Sequence, residues 1–283
     1  MANINKLNPD VLEVKFKYKK GFEAWVLLTA DHHWDNPHCD RELLKKHHEQ
    51  AKEKNALICC FGDLFCAMQG KGDRRGNKSD LREEHKQGNY LDTLVDTAHD
   101  WYAPYAHNYL IMSEGNHETG VYKYHETDIL QRLVSSINGS EKSKIEKGKY
   151  NGWLYFRFEH EAGGHTKAIK LKYQHGYGGG GPVTKGTIQT NRRAVYLPDA
   201  NIIVSGHIHE RWEMDICRER ANTCGTISLD DQRHIQLPTY KEEYLQSGGY
   251  HIETGRPPKP LGGCWLHLYS ATREIKYKTF WAD

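Results

Sequence analysis

Five short signatures follow one another along the chain: Asp31-His32-His33, Gly62-Asp63, Gly115-Asn116-His117-Glu118, His175-Gly176 and Gly206-His207-Ile208-His209. Carboxylates, imidazoles and one amide oxygen in this mixture suit first-row transition metals better than magnesium alone. The chemistry they point to is hydrolysis of a phosphoester. At neutral pH that reaction needs a hydroxide, and two cations about 3.5–4 Å apart lower the pKa of a shared water while neutralising phosphoryl oxygens. An aspartate between two cations can bridge them, and Asp63, alone after Gly62, is the candidate, since the glycine lets the backbone turn tightly. Asp31 and His33 stand two apart, so in an extended segment both face one side. His207 and His209 repeat that spacing. Any single histidine among the 18 here is ordinarily a satisfied or surface residue. Several falling at strand ends, in this order, weaken that reading.

The elements that must position these groups alternate between strands and helices. Trp25–Ala30, Ala56–Phe61 and Tyr109–Ser113 are short apolar runs that open onto the first three signatures, as buried strands do. A polar helix pattern covers Cys39–Lys54, Tyr90–Tyr102 is a helix stopped by Pro104, and Glu126–Ile137 is an amphipathic helix closed by Asn138-Gly139. Between them, Met68–Asn89 is a polar loop with no sustained period, a length that in compact domains is usually functional or mobile. In the second half, Trp153–Phe158 and Ala168–Tyr173 read as paired strands. Thr184–Leu197 follows as a helix, and Asn201–Ser205 is a strand delivering Gly206-His207-Ile208-His209. Trp212–Cys217, Cys264–Tyr269 and Ile275–Phe280 suggest further antiparallel strands, with a Gly/Pro-rich excursion at Gly248–Pro260. Near the N-terminus, Lys15 and Lys17 alternate with Val14, Phe16 and Tyr18, the pattern of an edge strand with lysines outward.

Composition narrows the class. At 283 residues with 37% apolar residues and a net charge of +2, the chain reads as one domain spanning 1–283, with a polar insertion at about 66–89 and a β-rich segment at about 210–283. No stretch approaches the roughly 18 apolar residues of a membrane span, and the first residues lack a basic-then-apolar leader pattern. A cytoplasmic protein without a membrane partner is the expectation. Seven cysteines, an odd number without a C-x-x-C pair, are a poor disulfide framework. Cys59 and Cys60 read as buried thiols, and the spacings of Cys39, Cys217, Cys224 and Cys264 match no known zinc module.

The set D-x-H, G-D, G-N-H-[DE], H-G and G-H-x-H, in this order from about Val26 to His209, resembles the calcineurin-like metallophosphoesterase superfamily. That resemblance implies an α/β fold, a four-layer α/β/β/α sandwich of two mixed sheets flanked by helices. It implies two divalent ions, with manganese expected and iron, zinc or nickel as alternatives. One would be held by Asp31, His33, Asp63 and His209, the other by Asp63, Asn116, His175 and His207. His117 would donate a proton to the leaving oxygen or stabilise its charge. Gly62-Asp63-Leu64-Phe65 is similar to the nuclease branch related to Mre11 and SbcD, and Gly-Asn-His-Glu to the serine/threonine protein phosphatases. Those phosphatases carry an aspartate, arginine and glycine where this chain has Cys66, Ala67 and Met68, which leaves the orienting of His117 to another carboxylate, Glu118 being the candidate. Gln69-Gly70-Lys71 and Tyr177–Asn191 resemble uncharacterised phosphoesterases of phages and prophages.

Three functions are compatible with these residues. The first is a metal-dependent phosphodiesterase acting on a nucleic acid or nucleotide by attack of a metal-bridging hydroxide, with Asp63 and His117 as catalytic groups. Arg74, Arg75 and Tyr177 are its candidate substrate contacts, since arginines fork onto phosphate and aromatic rings stack on bases; Lys185, Arg192 and Arg193 add to the basic loops. The second is a phosphomonoesterase, protein phosphatases included. The third, a noncatalytic binding module on the same scaffold, commonly lacks ligands, and here none is missing.

Overall fold

The computed structural model describes residues 2–69, 76, 81–163, 166–181, 183–245, 250–272 and 274–283. In chain order the first half contains β1 (Asn3–Asn8), β2 (Val11–Tyr18), β3 (Glu23–Thr29), α1 (Arg41–Glu53), β4 (Leu57–Phe61), α2 (Tyr90–Tyr102), β5 (Tyr109–Ser113), α3 (Asn116–His125) and α4 (Ile129–Glu141). The second contains β6 (Glu146–Gly148), β7 (Asn151–His160), β8 (Lys167–Gln174), α5 (Thr187–Tyr196), β9 (Ile202–Ser205), β10 (Trp212–Ala221), β11 (Ile227–Gln236), α6 (Tyr250–Glu253), β12 (Cys264–Ala271) and β13 (Glu274–Trp281).

These strands form two mixed sheets, a seven-stranded one ordered β1-β2-β7-β8-β9-β11-β10 and a six-stranded one ordered β13-β12-β3-β4-β5-β6. In the six-stranded sheet β3, β4 and β5 run parallel, and their apolar runs are continuous because both faces are covered. Val26, Leu28, Cys59 and Phe61 enter a core shared with Phe16, Leu154, Phe156, Leu171, Ile202 and Val204 of the other sheet. Leu27, Ile58 and Cys60 point the other way, into a second core with Leu44, Ala51, Leu94, Ala98, Leu130 and Leu133 of α1, α2 and α4. The result is a sandwich with helices outside the sheets. The outer layer on the seven-stranded sheet is thin: α5 lies there, with Arg193 donating to Ser205 Oγ on β9.

Two directions matter for function. Parallel β3, β4 and β5 end at one edge of their sheet, and β8 and β9, also parallel, end at one edge of theirs. Every signature lies just beyond one of those C-terminal ends, where open α/β sheets keep ligands.

The structure corrects several readings. β2 is not an edge strand, because β1 covers it; the short β1, polar and exposed, gave little pattern to find. α4 begins only at Ile129, where Asp128 accepts the Gln131 N–H at 2.9 Å. It runs through Asn138-Gly139 to Glu141, a mid-helix glycine costing only about 1 kcal/mol relative to alanine. The Asn138 amide is used instead to accept the Ile145 N–H. Asn116 opens a helix, α3, directly beyond the end of β5. β11 escaped notice because it is mostly polar, with Ile227, Ser228, Leu229 and Asp231 exposed and only Gln232, His234, Ile235 and Gln236 buried. Among the described residues no helix is long and apolar enough to cross a membrane.

Candidate metal centre

Asp31, His33, Asp63, His207 and His209 share a backbone feature that the extended reading missed. Their φ angles are +53°, +46°, +52°, +72° and +53°. Left-handed backbone costs a non-glycine residue about 1–2 kcal/mol, and such strain persists where surrounding structure enforces it. Here it is enforced by hydrogen bonds between loops: Asp31 N donates to Gly62 O, His33 N to Asp63 O and Trp34 N to Leu64 O at 2.9–3.0 Å. Tyr240 N and Thr239 Oγ1 both donate to Asp31 O, at 3.0 and 2.8 Å. The paired residues converge through these bent loops rather than through strand alternation.

Glycines make room. Gly62 sits at φ +98°, and a Cβ there would lie 2.4 Å from His175 Nδ1; a Cβ on Gly115 would lie 2.1 Å from Asp63 Oδ1. Neither position accepts a side chain without displacing a member of the cluster.

The side chains meet in two groups. In the first, His209 Nε2 lies 3.3 Å from both Asp31 Oδ1 and His33 Nε2, and His33 Nε2 lies 4.0 Å from Asp31 Oδ1. In the second, His175 Nε2 lies 3.0 Å from Asp63 Oδ2 and 3.2 Å from Asn116 Oδ1, with His207 Nδ1 2.7 Å from the same amide oxygen. Asp31 Oδ1, 3.9 Å from His175 Nε2, connects the groups. Donor atoms about 2.1 Å from a shared cation are about 3.0–3.4 Å apart, so these spacings fit two neighbouring ions. Asp31 Oδ1 is buried without a hydrogen-bond partner. A carboxylate oxygen desolvated in this way costs free energy unless a proton or cation meets it.

The field of the site points the same way. Burial alone would raise the Asp63 carboxyl, but His175, His117 and His33 hold it well below the usual carboxylate range. Burial alone would lower His175, yet Asp63, aided by Asp31, lifts it to about 10. The two aspartates thus draw positive charge onto an imidazole, the same attraction that would hold a cation. His175 Nδ1 is 2.9 Å from Phe61 O; donating there, the ring turns Nε2 inward, the usual orientation of a metal-binding histidine.

Asp63 and Glu118 tie α3 to the loop after β4. Asp63 Oδ1 accepts the His117 N–H at 3.0 Å, a carboxylate against a helix N-terminus. Glu118 accepts from the backbone N–H of Asp63, Phe65 and Gly115 at 2.8–3.1 Å. Burial and Asp63 push its carboxyl up to about 8. Glu118 therefore does not orient His117. That task falls to the backbone carbonyl of Cys66, 2.6 Å from His117 Nδ1, which leaves Nε2 facing the cluster 3.7 Å from Asp63 Oδ2. Buried Asp35 braces the carbonyl's loop by accepting from Cys66 N and Ala67 N at 2.5 and 2.9 Å. Asp35 lies two residues beyond the first signature, with nothing in its spacing to single it out.

All seven expected ligand residues and His117 thus come together. Arg74 and Arg75, with Lys71 and Lys78, lie outside the described residues. Tyr177 is half exposed and donates to Gln189 Oε1 of α5 at 2.7 Å. Cys39, Cys59, Cys60, Cys66 and Cys264 are buried and Cys217 and Cys224 exposed, all as free thiols.

No family model matches the sequence, and no curated protein matches it. Solved structures give distant likenesses. A conserved Streptococcus pneumoniae TIGR4 protein described as a predicted phosphoesterase is 9% identical, with a TM-score of 0.34 over 93% of this chain and 91% of its own. Vps29 of Entamoeba histolytica, complexed with zinc, is 8% identical, with a TM-score of 0.35 over 92% and 99%. GAP50, an anchor in the inner membrane complex of Plasmodium, is 12% identical, with a TM-score of 0.40 over 92% and 85%. Likenesses this distant assign no activity.

Proposed function

We propose that the protein is a dinuclear metal-dependent phosphoesterase, and most specifically a phosphodiesterase acting on a nucleic acid or nucleotide. The observation that carries the reading is the pair of donor groups, Asp31 with His33 and His209 and Asp63 with His175 and His207, with Asp31 Oδ1 buried and without a partner. Asp31, His33 and His209 would hold one ion and Asn116, His175 and His207 the other, with Asp63 between them; manganese is the expected metal. Two such ions supply an activated water and neutralise phosphoryl charge.

The chain's own residues do the rest. His117, steadied at Nδ1 by the Cys66 carbonyl, presents Nε2 to the cluster, where it can give a proton to a departing oxygen. Burial of Asp31, His33, Asp63 and His175 keeps bulk water from the ligands. Glu118 and Asp35 fix the loop after β4, which carries both Asp63 and the Cys66 carbonyl. The diester reading draws on Gly62-Asp63-Leu64-Phe65, with Arg74, Arg75 and Tyr177 as proposed substrate contacts.

The test is turnover of bis-p-nitrophenyl phosphate against p-nitrophenyl phosphate by metal-stripped protein given Mn²⁺, with Asp63→Ala as the blank. Diester turnover that dominates and disappears in the variant supports the proposal. Monoester preference replaces it with a phosphomonoesterase, and no metal-dependent turnover of either with a binding module.

A further inference from the structure

Beside the two donor groups lies a third that shares a residue with the first and contains a thiol. One donor atom from each of His33, Cys66 and His117 lies within 4.8 Å of the other two. The three come from separate places, the loops after β3 and β4 and the first turn of α3, so tertiary structure alone assembles them. The His33 and His117 rings stand edge to face, 4.9 Å between centroids. Cys66 Sγ is buried and meets Asn36 Nδ2 at 3.5 Å. His33 Nδ1 is buried without a hydrogen-bond partner, while His117 keeps Nε2 available because Nδ1 is engaged at the Cys66 carbonyl.

We propose that His33, Cys66 and His117 form an inhibitory site for a thiophilic divalent cation such as zinc or cadmium, overlapping the two-ion centre at His33 alone. One sulfur and two imidazole nitrogens are the donor set that zinc and its softer relatives favour over manganese. Sulfur and nitrogen around a tetrahedral ion are about 3.3–3.6 Å apart, so side-chain movements of about 1 Å close the site. On binding, the Cys66 S–H proton leaves to buffer as the sulfur–metal bond forms. The occupied site takes His33 from the first donor group and ties up His117 Nε2. The inhibition rests on the phosphoesterase reading, whereas the binding does not.

The experiment uses full-length protein in which exposed Cys217 and Cys224 are replaced by serine, so that they do not compete. Cadmium is titrated into the manganese-loaded protein while the ultraviolet charge-transfer absorption of a cadmium–thiolate bond is followed, alongside bis-p-nitrophenyl phosphate turnover. The expected result is a band that saturates with one equivalent, is lost in Cys66→Ser and is weakened in His117→Ala, whose side chain is partly exposed. Turnover, scaled to each protein's own cadmium-free value, should fall with the band in the parent and persist to at least about tenfold higher cadmium in Cys66→Ser. No band in the parent, or an undiminished band in either variant, overturns the site. A band without manganese-dependent turnover keeps the site and removes the phosphoesterase reading, and turnover without a band does the reverse.

Discussion

His32 and His33 are neighbours in sequence, both buried, and belong to different regions of the molecule. His32 faces the helix-side layer, with Nδ1 3.0 Å from Tyr102 Oη and Nε2 2.8 Å from Thr29 Oγ1. His48 of α1 is settled likewise, between Leu44 O and Tyr109 Oη at 2.7 Å each. His33 faces the cluster, where its Nε2 meets another imidazole nitrogen and its Nδ1 meets nothing. Burial drives His32 well below its ordinary pKa and His48 down to about 3, so the core rings are neutral hydrogen-bonding groups. The difference teaches where the fold invests. Behind the sheet every polar atom of these rings is answered within the chain, whereas at the strand ends Asp31 Oδ1 and His33 Nδ1 are buried without a partner, over backbone held at positive φ.

The sharpest way to break that contrast is to empty the cluster. Asp63→Ala should cost at least about 10³-fold in metal-dependent turnover, since ion-based charge stabilisation is worth several kcal/mol and each 1.36 kcal/mol is tenfold. It should also lower the bound-metal stoichiometry measured by elemental analysis. Retention of two ions per chain would show that Asp63 does not join the groups. His117→Ala should keep both ions and lower kcat by about 10²–10⁴-fold on an ester with a poor leaving group, with a smaller loss on a p-nitrophenyl ester. Wild-type speed on the poor leaving group would remove His117 from the reaction.

The neighbouring histidines give a direct comparison at the next scale. His32→Ala should unfold in denaturant about 2–4 kcal/mol more easily, because it opens a cavity and strands the hydroxyls of Thr29 and Tyr102, yet it should still take up two ions. His33→Ala should do the reverse, losing metal affinity with little change in the stability of the metal-free protein. A His32 variant that loses metal as readily as the His33 variant would mean that the two regions are not separable.

Sequence alone made the strand-end signatures legible because their chemistry is carried by residue type and local spacing, and β5 and α2 fall at their expected bounds because apolar runs and Pro104 mark them. The reason for convergence was not legible. Alternation in an extended strand would place Asp31 with His33, but left-handed backbone does so here, and φ is set by the loop-to-loop hydrogen bonds to Gly62, Asp63 and Leu64. The orienting group for His117 was sought among carboxylates and is a backbone carbonyl, which every residue has and no sequence marks. Asp35, Thr239 and Tyr240 act on the site through backbone contacts from elsewhere in the chain. Such roles follow from tertiary placement, just as β11 follows from pairing with β9 and β10.

The mildest probe is the pH dependence of thermal stability, where the core histidines carry one sign and the cluster both, His33 and His207 being lowered like the core rings while His175 and Glu118 are raised. In the core, His32, His48 and His47, the last lowered to about 4, have folded pKa values below their ordinary 6.5. The unfolded chain therefore takes up protons first, and their contribution is present above about pH 6.5 and lost as pH falls below it. In the metal-free cluster His175 is raised to about 10, so its contribution is present below 6.5 and lost as pH rises toward 10. Glu118, raised to about 8, adds to that alkaline loss, because the unfolded chain ionises from its ordinary 4.5 upward while the folded form holds its proton. Metal-free protein should thus show a Tm maximum near pH 6.5 and decline on both sides. Saturating Mn²⁺ should flatten the alkaline limb, because cations replace the proton on His175, and steepen the acid limb, because protons compete with the metal for its imidazole ligands. An alkaline limb unchanged by manganese would mean that His175 and Asp63 are an internal ion pair rather than half of a metal centre.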